Sequence, residues 1–413
     1  MLNRLPMLFI LFLPLLAPAG QPPVQEKRAN LQDQVSEINL LATVEKLVAF
    51  GTRHSLSTRG IGEAREWIRT ELARTAKDAK GPMSVNLHEF TDPRLRRSGT
   101  PVPQKNVYAI LKGKRYPKEA IVFGAHYDSL NLTERDPDAT APGANDNASG
   151  TAAVLEAARI LSQIEPDRTI VFVAFAAEEQ GLIGAWHFAN FLKNSDLEVV
   201  AMLNNDIVGG ARDDEGRPLN VRELRCFSAG PQDSASRRLA RLAKLVVERR
   251  TGGLKLLLQN STDRPGRGGD HQSFNQHGMA AIRFIEANET DRLHHTPNDM
   301  TSRIYPPYHA LAVKADIALL ANLASAPPAP TTPELKVSGR SLSASWKRVD
   351  GAARYLVGIR QGGLEFERFI ESSGNSATWQ AAAAGGFQVS VAAVNADGDV
   401  SLFSPETALG VSQ

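Results

Sequence analysis

The sequence predicts an α/β protein, with a mostly parallel central sheet sandwiched by helices and a small β-sandwich at the C-terminal end. Three observations carry that expectation. Four short, nearly continuous apolar runs, Ala120 to Ala125, Thr169 to Phe175, Val199 to Leu203 and Ala280 to Ile285, read as strands covered on both faces. Helical spacing fills intervals between them, clearest from Ser149 to Gln163 (Ala153, Val154, Ala157, Ile160, Leu161) and from Ser234 to Arg250, so strand and helix alternate. At Ser325 the composition changes to Ser-Ala-Pro-Pro-Ala-Pro-Thr-Thr-Pro, and beyond Pro333 the apolar period becomes two.

Taken in order, the chain begins with Arg4, an apolar run from Leu5 to Leu16, and Ala17-Pro18-Ala19. That is the pattern of a cleavable signal peptide over residues 1–19, so the protein is expected to be exported, to a periplasm or the medium. The run is too short to cross a hydrocarbon core of about 30 Å as a helix, so no membrane span is expected. A larger domain over residues 20–324 opens with two helices between Asn39 and Leu72, broken around Gly51 to Gly62. Residues 325–333, with four prolines, read as a stiff spacer between two independent cores.

In residues 334–413, alternation appears in Leu342, Ala344 and Trp346, in Tyr355, Val357 and Ile359, and in Phe387, Val389 and Val391. Together with Gly351-Ala352-Ala353-Arg354-Tyr355 and the run from Val391 to Gly398, these residues resemble a fibronectin type III module. Such a module implies contact with a surface or another protein and no chemistry of its own.

Composition narrows the classes. With 413 residues, 42% apolar and 22% charged, the chain has ordinary folded usage and more length than one compact core normally holds. The net charge of +2, from 47 basic and 45 acidic residues, is too balanced to neutralise a phosphate backbone, and no nucleic-acid partner is expected. The basic stretch from Arg94 to Lys118 reads as solvated surface. Cys226 is the only cysteine, which rules out an intramolecular disulfide and suits a small core residue better than a nucleophile. The sequons at Asn131 and Asn147 do not read as glycan sites, since Asn147 adjoins a candidate ligand; a bacterial exported setting fits better.

The chemistry sits at strand ends. His126 and Asp128, two residues apart on an extended backbone, share one side and suit a metal ligand with its orienting carboxylate, although a surface pair has the same pattern. Asp146 lies in the small-residue turn Gly143-Ala144-Asn145-Asp146-Asn147-Ala148-Ser149-Gly150, where a helix-start aspartate and a ligand are both compatible. Glu178 and Glu179 leave the chain in opposite directions after an apolar run, so one can bind metal while the other faces the attacking water. Asp206 and His295 follow two further strands. Imidazoles mixed with carboxylates favour zinc over magnesium or calcium, and two ions about 3.5 to 4 Å apart can share one carboxylate and clamp a hydroxide.

In order and spacing, His126-x-Asp128, Asp146, Glu178-Glu179, Asp206 and His295-Thr296-x-x-Asp299 resemble the co-catalytic two-zinc aminopeptidases, a clan that includes glutamate carboxypeptidases and glutaminyl cyclases. The resemblance spans about Leu41 to Leu323. It implies that Asp146 bridges two zinc ions, that Glu179 and His295 complete one site and His126 and Asp206 the other, and that Glu178 is the general base. Asp128 would orient His126, with Asp299 and the Asp270-His271 pair shaping the site without binding metal. Relatives often carry tyrosine before the last histidine ligand; here it is His294, expected as an oxyanion donor.

The implied activity is removal of amino-terminal residues from peptides. A carboxypeptidase, with Arg264 or Arg267 as carboxylate clamp, a glutaminyl cyclase, and a non-catalytic binding protein are the other readings. Residue preference and oligomeric state have no signature in the sequence.

Overall fold

The computed structural model describes residues 31–213, 215–260, 262, 267–289, 292–380 and 385–411. The leader expected over residues 1–19 and the candidate clamp Arg264 lie outside the described residues.

Helix α1 (Glu37–Val48) begins where the Ser36 side chain accepts the Asn39 backbone N–H, satisfying one of the donors a helix start leaves unpaired. The break before α2 (Gly60–Lys77) has a steric cause: a Cβ on Gly60 would lie 1.6 Å from the Thr52 carbonyl oxygen, so the close approach needs glycine. Strands β1 (Met83–Phe90), β4 (Gln104–Leu111) and β5 (Tyr116–His126) follow, with β2 (Arg96–Arg97) and β3 (Thr100–Pro101) forming a short ribbon. The rest of the body alternates: α3 (Ser149–Leu161), β6 (Arg168–Phe175), α4 (Ile183–Lys193), β7 (Glu198–Asn205), β8 (Glu223–Ser228), α5 (Ala235–Arg250), β9 (Lys255–Gln259), α6 (His271–Gln276), β10 (Ala281–Glu286) and α7 (Pro306–Ser325).

The eight body strands form one sheet in the order β1-β4-β6-β5-β7-β10-β8-β9. Its centre, β6-β5-β7-β10, is parallel, while β4 and β8 run against their central neighbours. Alternate residues of the central strands face two helical layers, which is why their sequences are apolar throughout. Ile121, Phe123, Ile170 and Phe172 join the larger core, with α1, α3, α5 and α7. On the other face Val122, Val171 and Phe175 pack on Phe188 of α4 and Phe274 of α6. Cys226 is buried in β8 and burial raises its thiol pKa, as suits a core residue.

Beyond α7 the chain forms two small antiparallel sheets, β11 (Glu334–Ser338), β12 (Ser341–Ser345) and β15 (Ser376–Gln380) against β14 (Arg368–Ser372), β13 (Arg354–Arg360), β16 (Gly385–Val394) and β17 (Thr407–Val411). Leu342, Trp346, Tyr355, Val357, Phe387 and Val391 fill the space between them.

One expectation is corrected here. Residues 325–333 do not separate independent cores: Ala326, Pro327, Pro330 and Pro333 are buried, and Leu356, Ala392, Val394, Val400 and Phe403 belong to the same apolar cluster as α1, α3 and α7. The four-stranded sheet is covered on both faces, one by its own sandwich and the other by the α/β body. Polar groups close the seam. Asn322 of α7 donates to and accepts from the Val400 backbone, and Glu406 is buried between Arg241 of α5 and Arg360 of β13.

Candidate metal centre

The carboxyl ends of β5, β6 and β7, together with the segment after β10, meet at one edge of the sheet, where open α/β folds place ligands. His126 is the last residue of β5, Glu178 lies three residues beyond Phe175, and Asp206 directly follows Asn205. Tight reversals aim these side chains back over the sheet edge. Ala177 (φ 60°), Ile207 (φ 56°) and His295 (φ 55°) all adopt left-handed backbone beside or at a site residue. For non-glycine residues this costs on the order of 1–3 kcal/mol each, and such strain is typical of functional sites held by the surrounding fold.

All five ligand candidates come together. Asp146 Oδ1 is 3.3 Å from His126 Nε2, and Asp206 Oδ1 is 3.4 Å from the same nitrogen. The other oxygen of Asp146 is 3.0 Å from His295 Nε2, which is also 3.0 Å from Glu179 Oε2. Two groups of three possible ligands, His126, Asp146 and Asp206 on one side and Asp146, Glu179 and His295 on the other, therefore share Asp146, with the donor atoms of each group within 4.8 Å.

The shared residue is held from behind. Asp299 accepts the backbone N–H of Asn145 at 3.0 Å and of Asp146 at 2.9 Å, fixing the turn Ala144–Ala148 that leads into α3. Buried Arg53 donates to the carbonyls of Leu47, Tyr127, Pro142 and Gly143, tying that turn to the end of β5. The small residues of the turn answer to packing: a Cβ on Gly150 would meet Asn205 O at 2.6 Å and Ala125 Cβ at 2.9 Å. Close approach of backbones, rather than of a ligand alone, demands them. Replacing Asp299 by Ala is expected to lower metal affinity about 10- to 100-fold, the usual cost of losing a ligand's supporting partner, as measured by chelator competition.

His126 Nδ1 lies 3.2 Å from the backbone carbonyl of Asp128. The Asp128 carboxylate is 3.6 Å from the same nitrogen, and its two oxygens accept the backbone N–H groups of Glu178 (3.1 Å) and Glu179 (3.2 Å), coupling the ends of β5 and β6. Asp270 is fully buried with neither oxygen hydrogen-bonded, and burial raises its pKa well above the carboxylate range. His271 is likewise buried, and burial lowers it to about 3, so it stays neutral.

Two residues were passed over in the sequence. Arg283 of β10 lies 3.0 Å from the outer oxygen of Asp206 and donates to the Gly268 carbonyl, and Glu286 accepts from Asn145 Nδ2 and from the backbone of Gly210 and Ala211. Both interrupt an otherwise apolar strand, and a buried charge in such a run needs a partner. That was the available signal.

His294 is buried and adjoins His295. His295, in left-handed backbone, reaches the cluster and also lines a neighbouring hollow together with His294, Thr133, Arg267 and Arg292. The cavity of about 590 Å³ in front of the cluster is walled by Glu178, Leu130, Leu182, Ile207 and Gln272, without His294.

The electrostatics of the cluster favour a cation. Burial pushes the Glu178 carboxyl well above its ordinary range, opposed by His126 and reinforced by Glu179, Asp270 and Asp206. Glu179 rises to about 7, through burial and then Asp146. Burial opposes charge on His295, but its bonds to Asp146 and Glu179 outweigh that and lift it to about 11. Glu179 Oε1 and Asp206 Oδ1 are buried without a hydrogen bond. An enclosed surplus of carboxylates with unsatisfied oxygens and two imidazoles fits a bound cation, and the mixed N and O donors fit zinc.

A sandwiched α/β sheet bearing such a centre defines a metal-dependent hydrolase. The chain belongs to Peptidase family M28, whose model matches residues 106–319. It is 38% identical to a probable zinc metalloprotease of Leptosphaeria maculans over 341 residues, covering 75% of this chain and 79% of that one. A probable zinc metalloprotease of Pyricularia oryzae is 36% identical over 368 residues, 80% of this chain and 73% of the relative. Among solved structures, an aminopeptidase from Aneurinibacillus superposes with a TM-score of 0.56 at 17% identity, over 72% of this chain and 96% of that one. A glutaminyl cyclase from Fimbriiglobus ruber reaches 0.58 at 18%, over 73% and 99%. The protein is thus a zinc metalloprotease by family. Among the described residues no helix is long and apolar enough to cross a membrane.

Proposed function

We propose that the protein is an exported aminopeptidase that uses two zinc ions. The observation supporting this most directly is the pair of ligand groups joined through Asp146, with Glu178 on the cavity wall beside them. Asp146 would be shared, Glu179 and His295 would complete one site, and His126 and Asp206 the other. Bound there, zinc supplies a Lewis acid for the scissile carbonyl and lowers the pKa of water.

The remaining work belongs to side chains. Glu178 accepts the proton of the attacking water and delivers it to the departing amine, and its half-buried position beside the cavity keeps it basic enough for both steps. Asp128 holds Glu178 and Glu179 by their backbones, so the base keeps its place relative to the ligands. Leu130, Leu182 and Ile207 offer an apolar wall for the side chain of the amino-terminal residue. The C-terminal region is proposed to be a fibronectin type III-like module, in keeping with its three- and four-stranded sheets. Export, to periplasm or medium, rests on the leader pattern.

The test is hydrolysis of aminoacyl anilides against N-acetylated and C-terminal-residue substrates, with a glutaminyl-peptide cyclisation arm. Turnover confined to free amino termini is expected; turnover of only the blocked or carboxypeptidase substrates, or cyclisation alone, would exclude the reading. Metal removal is expected to abolish activity and lower the melting temperature. Zinc at about 1,000 times its Kd stabilises a folded site by about 4 kcal/mol, so re-addition should restore both. An unchanged melting curve would argue against metal binding at this cluster.

A further inference from the structure

Arg283 stands inside β10, in register with Asn204 of β7, where every other residue before the terminal Glu286 is apolar. Its buried guanidinium occupies a slot shaped for it. A Cβ on Gly269 would lie 2.8 Å from Arg283 Cδ and 3.1 Å from its Nε, so the slot needs glycine there while Arg283 fills it. One arm of the fork, Nη1, donates to the Gly268 carbonyl. The other, Nη2, is 3.0 Å from Asp206 Oδ2, and the two side chains are only 4% and 6% exposed.

The carboxylates that complete the two ligand groups are thereby unlike. Asp206 has Oδ2 committed to Arg283, while Oδ1, 3.4 Å from His126 Nε2, is buried without a hydrogen bond and is the oxygen left for a cation. The Glu179 carboxylate pairs only with His295, itself a candidate ligand, and its Oε1 is buried without a hydrogen bond. No guanidinium or ammonium of the chain holds either of its oxygens. A carboxylate free to offer both oxygens suits ions that take six or more oxygen-rich ligands, whereas one-oxygen ligation suits four-coordinate zinc.

We propose that Arg283 sets the ion selectivity of the His126–Asp206 site: by holding the outer oxygen of Asp206 it confines that carboxylate to one-oxygen ligation and favours zinc over ions of higher coordination number. The proposal rests on the two-site metal reading above. Arg283 acts through Asp206 and is a positioning residue. The Glu179–His295 site, with no such clamp, discriminates less.

The experiment titrates zinc and manganese separately into the metal-free full chain against a chelating indicator, and reads the manganese-to-zinc ratio of dissociation constants for each binding step. Arg283→Met keeps the length of the side chain and frees Asp206 to offer both oxygens. For one of the two steps the ratio should then fall about 10- to 100-fold, the range over which a ligand's outer partner changes metal affinity. The other step should keep its ratio, and the shift should persist in a Glu179→Gln background, which weakens the other group. Arg283→Lys should retain most of the wild-type ratio, because an ammonium also holds Oδ2 by charge. Gly269→Ala removes no charged group, yet its methyl displaces the Arg283 side chain from its slot, and it should shift the same ratio in the same direction. If Arg283→Met does not fold because Asp206 is left buried and unpaired, Gly269→Ala decides.

A merely structural role for Arg283 would weaken both ions alike and leave the ratio at its wild-type value; that result in the deciding variant overturns the proposal, as does a shift that disappears in the Glu179→Gln background. A wild-type chain that binds a single ion sinks the two-site reading, while a changed ratio at that one site still supports Arg283 as its selectivity residue. A chain that binds neither ion sinks both.

Discussion

Replacing Glu178 by Gln is expected to lower kcat on an aminoacyl anilide by about 10²- to 10⁴-fold, the loss that follows removal of a general base. Its metal content should stay at the wild-type level. Glu179→Gln should do the reverse in kind, releasing metal on dialysis and losing activity only as a consequence. The two residues are adjacent and their backbones are fixed by the same carboxylate, Asp128, so the contrast tests side-chain direction and little else. Glu179 Oε2 meets His295 Nε2 at 3.0 Å, whereas Glu178 faces the cavity without a ligand partner at that distance. Metal analysis paired with single-turnover kinetics decides it. Metal loss in Glu178→Gln together with retention in Glu179→Gln would exchange the two roles.

The centre of the fold was legible because two-sided burial leaves a strong mark on sequence. The four apolar runs became β5, β6, β7 and β10; the first three are longer than the runs, extended by polar or charged residues at their ends, and β10 is shifted by one residue to end on Glu286. The ligands were legible for a related reason: a His or carboxylate directly after such a run has few structural purposes. Order along the chain could not reveal what holds them. Arg53 serves four carbonyls, those of Leu47 in α1, Tyr127 after β5, and Pro142 and Gly143 before Asp146, and nothing in the run Gly51-Thr52-Arg53-His54 marks it as buried. His294 and His295 line one hollow, and of the two only His295 also reaches the cavity in front of the cluster.

The C-terminal sheet shows how a correct period can hide a second face. Tyr355, Val357 and Ile359 alternate toward the sandwich core as the spacing implies, but Leu356 between them packs on the α/β body. The unbroken run Val391-Ala392-Ala393-Val394 carried the same message, since one-sided strands alternate and two-sided ones do not. Proline content in residues 325–333 suggested a spacer. Those prolines instead lie along a packed seam, where a fixed φ serves a chain that is already immobilised.

Because that seam is continuous with the body's core, removing everything after Ser325 is expected to destabilise the body itself. Truncation would uncover Leu356, Val394 and Phe403's partners in the large core and strip Asn322 of both bonds to Val400. It would also leave Arg241, with a side chain 1% exposed, facing the vacated surface without Glu406 and the Leu364 carbonyl. A finer probe is Glu406→Gln, which keeps the shape and removes the charge between Arg241 and Arg360, whose side chain is 5% exposed. Breaking a buried ion pair from one side typically costs about 3–5 kcal/mol. Denaturant unfolding should therefore show Glu406→Gln less stable by that order, with kcat/KM on a small anilide unchanged below the transition, and the truncated chain aggregating or melting well below the full one. A truncated body that stays soluble and melts with the parent would restore the picture of two independent cores, and an unaltered midpoint for Glu406→Gln would show that the seam is held by its apolar contacts alone.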